Sequence, residues 1–397
     1  MSLNDTPRAE RLHIGLFGRT NSGKSSLINA LTGQEAALVS EIAGTTTDPV
    51  YKAMEIHGIG PVVFIDTAGF DDNGALGAMR IKKTEEAFLK TDIAIVVFSD
   101  KNTDCELQWI KKLKKQKTPV IAVINKTDLP DSGAEAISAQ IRSVCQLSPI
   151  FASAKNKTGL KEIRQALMRC LPEDFDMPSV TSPLVKENMV VMLVMPQDIQ
   201  APKGRLILPQ VQTIRDLLDK HCTVVSVTTD GFERALNTLK NPPDVIITDS
   251  QVFKTIYEKK PEQSLLTSFS VLMAAYKGDI HYFVESASAI EGLTESSRVL
   301  IAEACTHAPL TEDIGREKIP RFLRNKIGQG LSVDIVSGQN FPDDLSGYDL
   351  IIHCGGCMFN RKYMLSRAAQ AKAQHVPMTN YGVTIAYLNG ILDKISY

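Results

Sequence analysis

At 397 residues the chain is too long for one ordinary core and predicts two or three domains. Its composition, 43% hydrophobic and 22% charged with a formal net charge of −1, is that of a soluble globular protein and gives no electrostatic case for a nucleic-acid partner. No stretch approaches the ~18 consecutive apolar residues of a membrane span, and residues 1–10 are polar, so the expectation is a cytoplasmic protein with no membrane contact.

Residues 12–171 alternate short apolar runs, at 14–17, 62–65, 93–98, 120–124 and 148–151, with helical stretches. This predicts a doubly wound, mostly parallel α/β sheet. Gly18-Arg19-Thr20-Asn21-Ser22-Gly23-Lys24-Ser25 follows the first run and opens a helix, the context in which a G-x-x-x-x-G-K-S string cradles phosphates. Backbone N–H groups and the helix end face the anion, Lys24 reaches the β- and γ-phosphates, Ser25 binds Mg²⁺, and Ser26 lies beside it. The basic run at 111–117 reads as one solvated helix face.

Three further motifs follow in order. Asp66-Thr67-Ala68-Gly69 comes after the second run, placing Asp66 to hold the metal through water and Gly69 to offer its N–H to the γ-phosphate. Asn125-Lys126-Thr127-Asp128 follows the fourth. The Asp128 carboxylate can accept from guanine N1 and N2, a contact adenine cannot make. Ser153-Ala154-Lys155 completes the base pocket, with the Ala154 N–H toward guanine O6, so the substrate is GTP.

Gly44-Thr45-Thr46-Thr47-Asp48 resembles the G-x-T-R-D switch of bacterial GTPases that act in tRNA modification and ribosome assembly. The resemblance implies that Thr46 binds magnesium and joins Lys24 and Gly69 as the catalytic groups, although Thr47 stands where many relatives carry arginine. Phe70 holds the place of a water-orienting glutamine, and a phenyl ring cannot position water, so slow intrinsic hydrolysis is expected. Relatives with asparagine at the place of Asn21 use it to coordinate K⁺, which implies potassium-stimulated hydrolysis.

Residues 172–185 carry Pro172, Pro178 and Pro183 with little periodicity and read as a linker. A small α/β domain is expected over 186–266, with strands at 189–195, 223–227 and 245–248 and helices near 209–219 and 231–239. Its size and dense apolar strands suggest burial against a partner. A third α/β domain spans 267–397, with strands at 298–304, 332–336, 349–353 and 376–380 and helices near 316–325, 362–374 and 385–393.

Seven cysteines in a chain without a secretory signal argue for reduced thiols. Cys105, Cys145, Cys170 and Cys222 lie singly in or beside apolar segments and read as packing. Cys305-Thr306-His307 and His353-Cys354-Gly355-Gly356-Cys357 differ: each follows a strand, and the carboxyl ends of parallel strands are where ligands collect. The glycines leave N–H groups free to approach sulfur, which suits an iron–sulfur cluster, while a Cys3His zinc site would use the same residues. The residues alone leave both metals open.

A GTPase domain with asparagine in its P-loop, a middle α/β domain and this C-terminal pattern together resemble, along the whole chain, the FeFe-hydrogenase maturation GTPase (HydF) family. The resemblance implies a 4Fe-4S cluster on Cys305, Cys354 and Cys357, with His307 or His353 as the candidate fourth ligand. It also implies a homodimer through the middle domain and a scaffold that receives a diiron precursor from two radical-SAM maturases and delivers it to apo FeFe-hydrogenase. The alternative is a ribosome- or tRNA-associated GTPase with a structural zinc.

Overall fold

The apolar run at the start of the chain becomes strand β1 (Leu12–Phe17), buried on both faces as a central parallel strand must be. In this computed structural model the described residues are 8–32, 49–56, 59–69, 75–130, 132–171, 179–197, 206–304 and 313–397. Thr46, Thr47, Phe70, Cys305 and His307 lie outside them.

Two compact units divide the chain, Met1–Asp176 and Met177–Tyr397. In the first, β1 is followed by α1 (Lys24–Thr32), β2 (Val50–Ile56), β3 (Gly60–Asp66), α2 (Ala75–Lys90), β4 (Ile93–Phe98), α3 (Asp104–Lys115), β5 (Val120–Ile124), α4 (Ala134–Cys145), β6 (Ile150–Phe151) and α5 (Leu160–Arg169). The sheet order is β2-β3-β1-β4-β5-β6. All neighbours are parallel except β2, which runs antiparallel to β3 with Val50 opposite Asp66. Strand β2 has no counterpart among the predicted runs because Lys52 and Glu55 interrupt its apolar residues, which are mostly half-buried. One face of the sheet buries Leu27, Ile28, Ile163 and Leu167, and the other Phe17, Trp109, Ile110 and Ile137. The basic run ends α3, with Lys112, Lys114 and Lys115 in the last turn where the helix dipole favours cations.

The second unit holds β7 (Val190–Val194), α6 (Leu208–Asp219), β8 (Thr223–Val227), α7 (Phe232–Thr238), β9 (Val245–Thr248), α8 (Phe253–Lys259), β10 (Leu265–Ser268), α9 (Phe269–Lys277), α10 (Ile280–Ala287), β11 (Arg298–Glu303), α11 (Ile319–Ile327), β12 (Ser332–Ser337), β13 (Leu350–His353), α12 (Arg361–Ala373), β14 (Met378–Asn380) and α13 (Tyr381–Leu388). They form two parallel sheets, ordered β10-β9-β7-β8 and β12-β11-β13-β14. One continuous core joins both, with Met192 and Ile246 of the first and Leu300, Ile351 and Val383 beside the second. The boundary expected between residues 266 and 267 falls inside β10, which pairs with β9.

Residues 179–185, expected as linker, dock on α6. Asp216 accepts from Ser179 Oγ at 2.8 Å, the Val180 N–H at 3.2 Å, and Thr181 N–H and Oγ at 3.0 and 2.5 Å. One carboxylate organises a segment with no periodic signal of its own. Helix α13 starts four residues before the predicted 385 because Asn380 caps it, accepting from the Gly382 N–H at 2.8 Å.

Candidate nucleotide pocket and thiol loop

The chain turns between β1 and α1 through the P-loop, and Asn21 at its exposed apex has φ +60°, a left-handed backbone that asparagine tolerates better than most residues. The Lys24 side chain is buried and its Nζ donates to the carbonyls of Gly18 at 2.9 Å and Arg19 at 2.8 Å, while Ser26 is exposed on the first turn of α1. The Ser25 hydroxyl donates to Asp66 Oδ2 at 2.5 Å, so two of the three predicted magnesium groups meet. Burial pushes the Asp66 carboxyl above the usual carboxylate value, against the pull of Ser25, Lys24 and Lys52. Gly69 presses on the P-loop: a Cβ there would come within 2.1 Å of Thr20 Oγ and 2.3 Å of the Thr20 nitrogen.

Asn125 ties the base motif to the P-loop. Its Nδ2 donates to the Ser22 carbonyl at 3.0 Å, and its Oδ1 accepts the Ala154 N–H at 3.1 Å. That N–H, expected to face guanine O6, is therefore donated within the pocket here. Lys126 has φ +60° and turns the chain so that Asp128 meets Ser153, whose hydroxyl donates to Asp128 Oδ1 at 2.6 Å. This bond, helped by Lys155 and Lys126, holds Asp128 below the usual carboxylate range and keeps it an acceptor. The predicted nucleotide residues among the described ones thus gather at one edge of the first sheet.

At the second site, parallel pairing of β11 with β13 sets Ala302 beside His353. Cys354 then accepts the Ala304 N–H on its sulfur at 3.0 Å and donates its own N–H to the Ala302 carbonyl at 3.0 Å. Ala304 is the residue before Cys305. Gly356 has φ +63°, and a Cβ there would fall 2.6 Å from Met364 Sδ, so the Cys354–Cys357 turn requires glycine. The buried Lys277 ammonium donates to the carbonyls of Gly356 at 3.3 Å, Cys357 at 3.4 Å and Phe359 at 2.8 Å. Burial pushes the Cys354 thiol up to about 11, against N–H donors from Gly356 and Ala304 that favour the thiolate.

His353 is fully buried, and both ring nitrogens are engaged. Its Nδ1 lies 2.8 Å from the Cys354 carbonyl, which can only accept, so that nitrogen carries the proton and Nε2 accepts from Arg367 Nη1 at 2.8 Å. Burial and the Arg367 charge push it down to about 3. It is a neutral imidazole that ties the loop to α12. Among the described residues no group of three or more His, Cys, Asp or Glu is placed to hold a metal ion; Cys354 and Cys357 are the predicted thiols that are described. Arg367 and Lys277, both buried here, carry no local sequence signal.

Comparison with known proteins follows this division. The hydrogen maturase F dimerization domain matches residues 180–278, the hydrogen maturase F tetramerization domain 281–396, and the 50S ribosome-binding GTPase family 13–126. The chain is similar to the tRNA modification GTPase MnmE of Cytophaga hutchinsonii, at 35% identity over 159 residues, 39% of this chain and 33% of that protein. It is similar to the GTPase Der of Wolinella succinogenes, at 32% identity over 192 residues, 45% of this chain and 39% of that protein. The chain therefore spans well under half the length of these curated relatives. Among solved structures, Era of Aquifex aeolicus covers 55% of this chain and 94% of its own at 19% identity and a TM-score of 0.34. The G domain of the T. maritima FeoB iron transporter covers 41% and 99% at 22% identity and a TM-score of 0.32.

Proposed function

The chain belongs to the hydrogen maturase F family and is a GTPase that binds GTP and magnesium, and from that premise we propose that it is a cluster-bearing scaffold for hydrogenase assembly. Its dimerization and tetramerization domains make it an oligomer, and we place a homodimer contact in the 186–266 segment. No helix among the described residues is long and apolar enough to cross a membrane.

The observation that carries the proposal is the Cys354–Cys357 loop at the carboxyl end of β13, with the Cys354 sulfur receiving backbone N–H groups from Gly356 and from Ala304, the residue before Cys305. Donors of this kind favour sulfur that bears negative charge, and two buried cations, Lys277 and Arg367, bond the loop and its histidine. The thiols present therefore fit an iron–sulfur cluster, held by Cys305, Cys354 and Cys357. When bound, a 4Fe-4S cluster would supply electron transfer and a site at which a diiron precursor can be attached. His353 holds the loop and His307 is the remaining candidate for a fourth ligand. The cargo would come from two radical-SAM maturases and pass to apo FeFe-hydrogenase.

In the first unit, Lys24 and the P-loop N–H groups hold the phosphates, Ser25, Thr46 and Asp66 the magnesium, and Asp128 the guanine. Gly69 presents its N–H where the γ-phosphate would lie. The left-handed, exposed Asn21 is offered for potassium, and equal rates in KCl and NaCl would remove that assignment.

The deciding experiment is anaerobic reconstitution with iron and sulfide, then EPR after dithionite reduction. A cluster signal in the wild type that is lost in Cys305→Ala, Cys354→Ala and Cys357→Ala is expected. A silent sample with stoichiometric zinc would overturn the cluster reading and favour a structural zinc on the same thiols.

A further inference from the structure

Arg367 heads the fully buried side chains by volume, at 2% exposure in the middle of α12. Its Nη1 donates to His353 Nε2 at 2.8 Å, and its Nη2 to the Gly338 carbonyl at 2.6 Å and the Tyr363 hydroxyl at 3.2 Å. The Nε has no partner. Phe341, Phe359 and Tyr363 surround the guanidinium with ring centroids 4.7, 4.6 and 4.6 Å away.

Every one of these neighbours is neutral. The other ionisable groups that bear on the Arg367 charge from the positive side are Tyr363 and Cys354, and no carboxylate among the described residues pairs with it. A guanidinium stays protonated, and an unpaired charge is among the most costly things a protein can bury. Aromatic faces soften that cost without cancelling the charge. The Glu303 carboxylate at the end of β11 is held instead by Arg316 at 2.8 Å and by Ser337 at 3.0 Å.

We propose that Arg367 is the buried counter-charge of a thiolate-bound cluster on the Cys354 loop, a positioning residue that holds the loop through His353 and raises the cluster's reduction potential. This deepens the scaffold reading and rests on it. A cluster held by thiolates is net negative and becomes more so on reduction, so a fixed cation nearby favours the reduced form. The ordering of charges follows from the fold: parallel pairing of β11 and β13 delivers His353 and Cys354 consecutively, and α12 returns over them with Arg367 facing inward.

The test compares wild type with Arg367→Lys, Arg367→Gln and Arg367→Met, each reconstituted anaerobically and checked for native fold by circular dichroism. The midpoint of one-electron reduction is read by an EPR-monitored dithionite titration. The two neutral variants should shift it to more negative values by at least ~59 mV, a tenfold change in the one-electron equilibrium. Arg367→Lys should restore most of that shift, which a purely structural role would not do. Arg367→Met exchanges the cation for an apolar chain of similar length, so it keeps the test open should Arg367→Gln fold poorly. An unchanged midpoint in cluster-loaded neutral variants overturns the counter-charge and leaves the scaffold reading standing. A wild type that takes up no cluster overturns both.

Discussion

The nucleotide pocket and the thiol loop sit alike, at the carboxyl ends of parallel strands, yet they balance charge in opposite ways. In the pocket, the charged groups and most polar ones meet others from the chain itself: Lys24 on two carbonyls, Ser25 on Asp66, Ser153 on Asp128, Asn125 between Ser22 and Ala154. In the loop, Arg367 brings a buried charge that no described carboxylate answers, beside a thiol that burial keeps protonated. Groups that must be ready for a ligand that comes and goes are held by one another. A loop built around a resident anion, as proposed above, would carry an imbalance of this kind.

The largest effects separate the two sites. Asp128→Asn should lower the preference for GTP over ATP by about 10⁴-fold, since a site built to pair a specific polar edge rejects its absence that strongly. Competitive binding of fluorescent nucleotides measures it, and cluster loading in the same variant should match wild type. If Asp128→Asn also lost the cluster, the two sites would not be independently built. Next comes Lys24→Ala, expected to slow phosphate release by about 10²–10³-fold through loss of a donor that meets developing charge. A change under about tenfold would mean that the backbone cradle carries most of the phosphate stabilisation.

The same contrast explains what the sequence could tell. The pocket was legible because its parts are short contiguous strings whose spacing is set by strand–turn–helix units, and the glycines mark backbone that must approach closely, as Gly69 does at Thr20. The Cys354–Cys357 turn was legible for the same reason. Arg367 was not, because an arginine in the middle of a lysine- and alanine-containing helix reads as solvated until the neighbouring strand is in place. His353 read as a candidate fourth ligand, and its bonds to the loop and to Arg367 were hidden, since its two partners come from its own backbone step and from fourteen residues on. Helix α9, apolar on nearly every face, has no period by which to tell it from a strand. The docked segment 179–185 owes its order to Asp216 on another element, which no local pattern encodes. Asp216→Ala should therefore cost about 2–3 kcal/mol of the second unit's stability in urea unfolding, the scale of hydrogen bonds to a charged acceptor. A loss below about 0.5 kcal/mol would show that apolar packing of Val180 and Val185 holds the segment by itself.

The smallest expected effect tests how far the pocket is balanced without metal. Among the described pocket carboxyls Asp66 is the one that burial shifts upward on balance, even with Ser25 and Lys24 beside it. A carboxyl raised in the folded state contributes stability below its unfolded value and loses that contribution as pH rises through its folded value. Nucleotide-free wild type should thus lose stability relative to Asp66→Asn over the interval just above the ordinary carboxylate value of about 4, while the variant, with nothing to titrate at this position, should not. Magnesium with GTP reverses the sign, because a divalent cation favours the carboxylate, so nucleotide-dependent stabilisation of wild type should grow over the same interval. Thermal melts of both proteins with and without Mg·GTP measure the two trends together. Parallel curves for wild type and Asp66→Asn without nucleotide would mean that Ser25 and Lys24 already offset the burial of the carboxylate, leaving no charge in the pocket for magnesium to balance.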